Sequence, residues 1–258
     1  MGKSDKKRIL LKIGTNVLTK ETNHISRGKI EDIAQQIAFL KDGYEFIIVS
    51  SGAIAAAKQF VKLESNHKEI NVKQALASIG QPHLMRIFQE NFRELGLLTS
   101  QCLLSYSDFE REQSKLNIVN TINILVENSY IPIINENDTV ATDEIKFGDN
   151  DKLSALTAVL LKADLLIIAT NTNGIYTKQS INDKEVKTII KSSDIQLLKT
   201  EVQNSISLHG TGGMATKIEA AEIAQQANIE TWILNGLNDN FIVDALSNKI
   251  AFTKVIAK

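Results

Sequence analysis

A chain of 258 residues with 43% hydrophobic and 23% charged content has room for one large α/β domain or two small ones, with the composition of a soluble globular protein. A formal net charge of -1 argues against the broad basic surface that nucleic-acid binding requires. No apolar run approaches ~18 residues, and charges at Lys3, Asp5, Lys6, Lys7 and Arg8 interrupt any secretory leader, so neither a membrane span nor a signal peptide is expected.

In chain order, residues 9–13 read as a first β-strand, residues 27–41 as a helix and residues 46–50 as a second strand. Helices follow at 53–60 and 68–94. The longer one is expected to kink or split near Gly80-Gln81-Pro82, because proline removes a backbone donor and restricts the residue before it. A strand at 99–104, a helix at 111–127 and a strand at 131–134 lead into a long polar segment. After it come a helix at 152–162, a strand at 165–169, a helix at 215–227, a strand at 231–234 and another near 252–256. In the helix at 215–227, Ile218, Ala221, Ala224 and Ala227 fall near one face. Strands that are apolar without alternation are expected to be buried on both faces, as a parallel sheet covered by helices requires. The expected fold class is α/β: a three-layer α/β/α sandwich around a mostly parallel sheet, a single domain over residues 1–258.

Lone Cys102 rules out an intramolecular disulfide, suits a reducing cytoplasm and reads as a small buried hydrophobe. His24, His67, His83 and His209 have no metal-ligand spacing, so no structural zinc site is expected.

Ligands of open parallel sheets bind outside the carboxyl ends of the strands. Those ends here read Gly14-Thr15-Asn16, Ser50-Ser51-Gly52, Asn135-Glu136-Asn137, Thr170-Asn171-Thr172-Asn173-Gly174 and Asn235-Gly236. Each alone is an ordinary turn; five on one edge favour a binding crevice. Lys12, inside the first strand, would suffer a large desolvation penalty unless its ammonium meets an anion at the strand end. The alternative is an edge strand with a solvated lysine. The segment Gly210-Thr211-Gly212-Gly213-Met214-Ala215-Thr216-Lys217 is either a phosphate cradle at a helix N-terminus or a plain glycine-rich turn. It is not a Walker A motif, and the missing GxGxxG fingerprint argues against a dehydrogenase.

The polar segment at 134–151, INENDTVATDEIKFGDND, is the most informative stretch. A loop of this length is usually functional, and so many carboxylates repel one another unless a cation shares their site. Val140, Ile145 and Phe147 anchor it as apolar punctuation.

Together these segments resemble the amino-acid kinase family over essentially the whole chain. The carriers are Leu11-Lys12-Ile13-Gly14-Thr15, Ser51-Gly52-Ala53-Ile54-Ala55, the loop at 134–151, Leu153-Ser154-Ala155-Leu156 and the glycine-rich segment at 210–217. The Ile-Asn-Glu-Asn-Asp and Gly-Asp-Asn-Asp pieces are those of the members whose acceptor is the side-chain carboxylate of L-glutamate. The resemblance implies an ATP-dependent, Mg²⁺-requiring transfer of the γ-phosphoryl group to L-glutamate. The product is L-glutamyl 5-phosphate, the opening intermediate of proline biosynthesis, and proline is the implied inhibitor. It also implies a homo-oligomer, dimer or tetramer. Lys12 and Lys217 would flank the transferring phosphoryl, with Asp149 and Asp151 orienting the reacting groups. Thr170, Asn171, Thr211, Gly212, Gly213, Met214, Ala215 and Thr216 would hold the nucleotide with the two lysines. Ser51, Asn135, Asp138, Asn150 and Asp151 would hold glutamate. Two departures stand out: Thr170-Asn171 replaces the common Thr-Asp, and the chain stops at Lys258, so the C-terminal PUA domain of many members is expected to be absent.

A glutamate side chain, which ordinarily titrates at a pH of about 4.3, arrives deprotonated and needs no general base. Alignment and charge relief remain, and these fall to Lys12, Lys217 and Mg²⁺. Other readings stay open: a kinase of the same scaffold acting on N-acetylglutamate or aspartate, and a catalytically silent sensing subunit.

Overall fold

Short β-branched runs set the frame of the molecule, and a computed structural model describes it at residues 6–63, 70–140, 150–176, 189–190, 195–196, 199 and 213–257. In chain order the elements are β1 (Lys7–Ile13), α1 (Thr15–Leu18), α2 (Arg27–Leu40), β2 (Tyr44–Ser50), α3 (Ala53–Lys58), α4 (Ile70–Glu94) and β3 (Leu98–Leu104). A 3-10 turn (Tyr106–Phe109) leads to α5 (Glu112–Glu127), β4 (Tyr130–Glu136), α6 (Asp151–Leu160) and β5 (Leu165–Thr170). Then come β6 (Ile189–Ile190), α7 (Met214–Gln226), β7 (Glu230–Asn235), α8 (Phe241–Leu246) and β8 (Thr253–Val255). The strands form one sheet in the order β3-β4-β2-β1-β5-β7-β8-β6. All its pairings are parallel except that of β7 with β8.

Alternation along each strand sends side chains to two opposite cores. Ile9, Leu11, Ile13, Ile48, Ile133 and Ile167 pack with α2, α4 and α8 on one face. Leu10, Val49, Ile134, Ile168 and Ile233 pack with α5, α6 and α7 on the other. This is the expected three-layer sandwich. Lys12 has the parity of Leu10, so its side chain shares the face covered by α6 and α7.

Three local expectations need correction. The 99–104 strand is not buried on both faces: among the described residues β3 is an edge strand paired only with β4, and Leu98 and Leu103 are exposed. A strand at the margin of a sheet has cover on fewer sides. The long helix does not split, because α4 runs through Pro82 from Ile70 to Glu94. Burial of Leu76, Ala77, Leu84 and Met85 on both sides of the proline offsets the lost backbone bond. Asn135 and Glu136 do not open the loop either; they are the last residues of β4, in register with Leu103 and Leu104. Asp149, Thr211 and Gly212 lie outside the described residues. No helix among the described residues is long and apolar enough to cross a membrane.

Candidate active site

Both lysines singled out in the sequence reach one carboxylate. Lys12 lies in β1, the centre of the sheet, with β2 and β5 as neighbours, so the solvated edge alternative does not hold. It is 4% exposed, and its Nζ is 2.5 Å from Asp151 Oδ1. Lys217, one turn into α7 and 5% exposed, places its Nζ 3.0 Å from Asp151 Oδ2. Thr216 donates its hydroxyl to the same oxygen at 3.0 Å. Asp151 is itself fully buried as the first residue of α6, where the unsatisfied N–H groups of the helix favour a negative charge. A buried ammonium is costly without a partner; here two nearly buried cations share one carboxylate.

The amines line a cavity of about 790 Å³ outside the carboxyl ends of β1, β2, β4 and β5. Gly52, with φ of 100°, turns the chain from β2 into α3 and leaves Ser51 on the cavity wall. Beyond β4, Asp138 also lines it. Burial pushes the Asp138 carboxyl up to about 6, and no described cation pairs with it. The cavity therefore has a cationic floor at Lys12 and Lys217 and, at its Asp138 end, a carboxylate that an arriving ammonium would stabilise in its charged form.

A buried amide network fixes the wall between these ends. Asn135 donates from Nδ2 to Gln81 Oε1 at 2.8 Å. Its Oδ1 accepts from Asn150 Nδ2 at 2.7 Å and from the Glu136 N–H at 2.9 Å. Asn150 Nδ2 also donates to the Ser50 carbonyl at 2.7 Å.

The profile of the amino acid kinase family matches residues 7–235. The glutamate 5-kinase of Vibrio vulnificus (strain YJ016) is 42% identical over 95% of this chain and 65% of its own length. That of Alkaliphilus oremlandii (strain OhILAs) is 40% identical over 96% of this chain and 95% of its own. The chain belongs to the amino acid kinase family. It spans a little under two thirds of the Vibrio vulnificus relative and nearly all of the Alkaliphilus one. Among solved structures, carbamate kinase from Giardia lamblia bound to AMP-PNP superposes with a TM-score of 0.70 at 17% identity, covering 99% of this chain and 100% of that one. UMP kinase from Ureaplasma parvum does so with a TM-score of 0.67 at 20% identity, covering 97% and 99%. At such identities these two establish the fold alone.

Of the predicted site residues, Lys12, Ser51, Asn135, Asp138, Asn150, Thr170, Asn171 and Lys217 line this one cavity of the family fold. Asp151 stands behind the lysines rather than on the wall. Gly213 caps α7, Ala215 is exposed, and Met214 packs on the core beneath. Asn171 uses its amide: Nδ2 donates to Glu21 Oε1 at 2.9 Å, tying β5 to the loop between α1 and α2. The fifth strand end is not part of the cavity. Gly236 donates its N–H to the Thr170 carbonyl at 2.8 Å and Asn235 donates to Asn173, so the end of β7 braces β5. Sequence reasoning missed Lys58, Lys73 and His24 on the cavity wall. Lys58 ends the Ala53-Ile54-Ala55-Ala56-Ala57 run of α3, and a lysine closing an alanine-rich turn carries no signal of its own. Gln81 stands out in the sequence only as part of a helix break.

Proposed function

We propose that this chain transfers the γ-phosphoryl group of ATP to the side-chain carboxylate of L-glutamate, yielding L-glutamyl 5-phosphate and ADP as the first step of proline biosynthesis. The observation that carries the reading is the meeting of Lys12 and Lys217 on Asp151 beside a cavity whose far end holds Asp138. Two anions must collide here, and electrostatic relief is the main protein contribution to such a transfer.

The glutamate carboxylate, ionised at neutral pH, attacks the γ-phosphorus directly. The new O–P bond forms as the bond from phosphorus to the β–γ bridging oxygen breaks, and the charge leaves on ADP. Lys12 and Lys217 stand where negative charge is shared between attacking and leaving oxygens. Asp151 keeps them spaced before substrate arrives. Thr170, Asn171 and the α7 N-terminus with Gly213, Ala215 and Thr216 form the nucleotide side, to which we also assign Thr211 and Gly212; Asp149 is assigned to orienting the reactants. Mg²⁺, bound with the nucleotide, would supply further charge neutralisation at the phosphates.

Asp138 favours glutamate over N-acetylated acceptors, because acetylation removes the ammonium that would pair with it. Proline keeps an ammonium and an α-carboxylate but has no second carboxylate to phosphorylate, so we assign it the role of competitive inhibitor. The lone Cys102, its thiol pushed up to about 11 by burial, suits a cytoplasmic enzyme that does not use cysteine chemistry. Incubation with ATP, Mg²⁺ and a panel of carboxylates, trapping acyl phosphate as hydroxamate, tests the assignment. Glutamate should be the preferred acceptor; a preference for aspartate or N-acetylglutamate refutes it. Proline should raise the glutamate KM, and unchanged phosphorylation at low glutamate with saturating proline refutes the inhibitory role.

A further inference from the structure

We propose that Gln81, which lies outside the main cavity, is a positioning residue for the phosphoryl-transfer centre, an inference that rests on the carboxylate-kinase reading above. The close seating of α4 makes this possible. A Cβ on Gly80 would lie 1.8 Å from the Ala53 carbonyl oxygen, so the α4 backbone rests directly against the first residue of α3. That contact carries Gln81, 7% exposed, inward to the end of β4.

Gln81 Oε1 is the acceptor for Asn135 Nδ2, at 2.8 Å and 54 residues apart in sequence. This bond, together with the Glu136 N–H on the opposite side, holds the Asn135 amide in one orientation. With Nδ2 turned to Gln81, Asn135 Oδ1 faces the Glu136 N–H and Asn150 Nδ2 and accepts from both. Turned the other way, Asn135 would oppose donors to donors on one side and two oxygens to each other on the Gln81 side. Asn150 in turn immediately precedes Asp151 at the start of α6, the residue that holds Lys12 and Lys217. A chain of contacts thus runs from α4 through Asn135 and Asn150 to the two catalytic ammonium groups.

The other half of the Gln81 amide sharpens the point. Its Nε2 is buried without a hydrogen-bond partner among the described residues. The accepting oxygen is the useful half, and it is spent on orienting Asn135.

Gln81→Met keeps the volume and an unbranched side chain but removes the acceptor. It should lower kcat on the order of 10- to 100-fold, the range associated with small misplacement of reacting groups, with the ATP KM unchanged. Combined with Asn135→Ala, it should add nothing, because both changes cut the same chain. Losses that multiply in the double variant would overturn the proposal. A substrate-free readout separates it from the glutamate reading. In ¹⁵N spectra of the unmodified protein, the side-chain amide protons of Asn135 and Asn150 should be protected from exchange, and in Gln81→Met the Asn150 pair should shift. Fast exchange in the unmodified protein, or an unmoved Asn150 pair in the variant, sinks the proposal whether or not glutamate is the acceptor. Failure of the unmodified chain to phosphorylate glutamate sinks only the substrate assignment.

Discussion

Replacing Asp151 with asparagine keeps the shape of the side chain and deletes one negative charge between two buried ammonium groups. Lys12, Lys217 and Asp151 are all at most 5% exposed, so water does not take over the lost role. Removing one partner of a buried pair typically costs ~3–5 kcal/mol, because the remaining charge is left uncompensated. For a chain of this size ~1 kcal/mol corresponds to about 2–4 °C in Tm, so Asp151→Asn should melt roughly 6–20 °C below wild type. The nucleotide should partly repair the defect. Its phosphates bring anions to the same two amines, and a ligand that binds only the folded state stabilises it by mass action. Saturating ATP should therefore raise the Tm of the variant more than that of the wild type. Turnover should fall as well, since the amines lose their spacing. Urea unfolding and thermal melts with and without ATP, beside a hydroxamate assay, measure all three effects. A loss below ~1 kcal/mol with an ATP shift equal to that of wild type would show that Asp151 does not hold the lysines, and the electrostatic account of the site would fail.

Lys217→Ala should cut kcat by ~2.7–4 kcal/mol of transition-state stabilisation while leaving a cooperative melt; near-wild-type turnover in the folded variant removes Lys217 from the chemistry. Asp138 should make glutamate binding depend on pH. With its carboxyl raised from 3.8 to about 6, the glutamate KM should fall as pH rises through about 6, and Asp138→Asn should flatten that profile while raising KM; an unaltered profile in the variant refutes the ammonium pairing. The same shift makes folding take up a proton, so the contribution of Asp138 to stability is fully present below 3.8 and is lost as pH rises through about 6, which urea melts across that window will follow. Gly80→Ala should lower stability by several kcal/mol, on the order of the larger overpacking penalties, because the added methyl lands on the Ala53 backbone at 1.8 Å; a melt within about 0.5 kcal/mol of wild type refutes the close seating of α4.

Much of the frame was legible because the sheet is written in uninterrupted β-branched runs, and a lysine in one of them announced its own counterion. The charge at position 12 is anomalous in a strand, so burial and partnership could be inferred before any partner was known. Asp151 was recognised as acidic and useful, but its place as a shared counterion depends on α6 and α7 lying over the same face of β1, which local spacing does not encode. Asn135 was placed one element too late, since a strand that turns polar at its last residues looks like the start of a loop. Helices as short as α1, with four residues, and α8, with six, fall below the length at which a period can be recognised. The Gln81–Asn135 contact spans 54 residues and joins two polar amides, and nothing in either neighbourhood points to the other. Glu21 was invisible for the same reason: an exposed carboxylate in a turn becomes meaningful only when Asn171 is found to donate to it.

The order of the strands divides labour across the enzyme. Lys12 rides on the middle strand, clamped on both sides, where amide exchange demands the rarest and most global openings. Asp138 hangs from the second strand in from the margin, past the end of its ladder, where small shifts disturb few neighbours. A change at the rim can thus alter the shape of the cavity mouth while the central strand keeps its place.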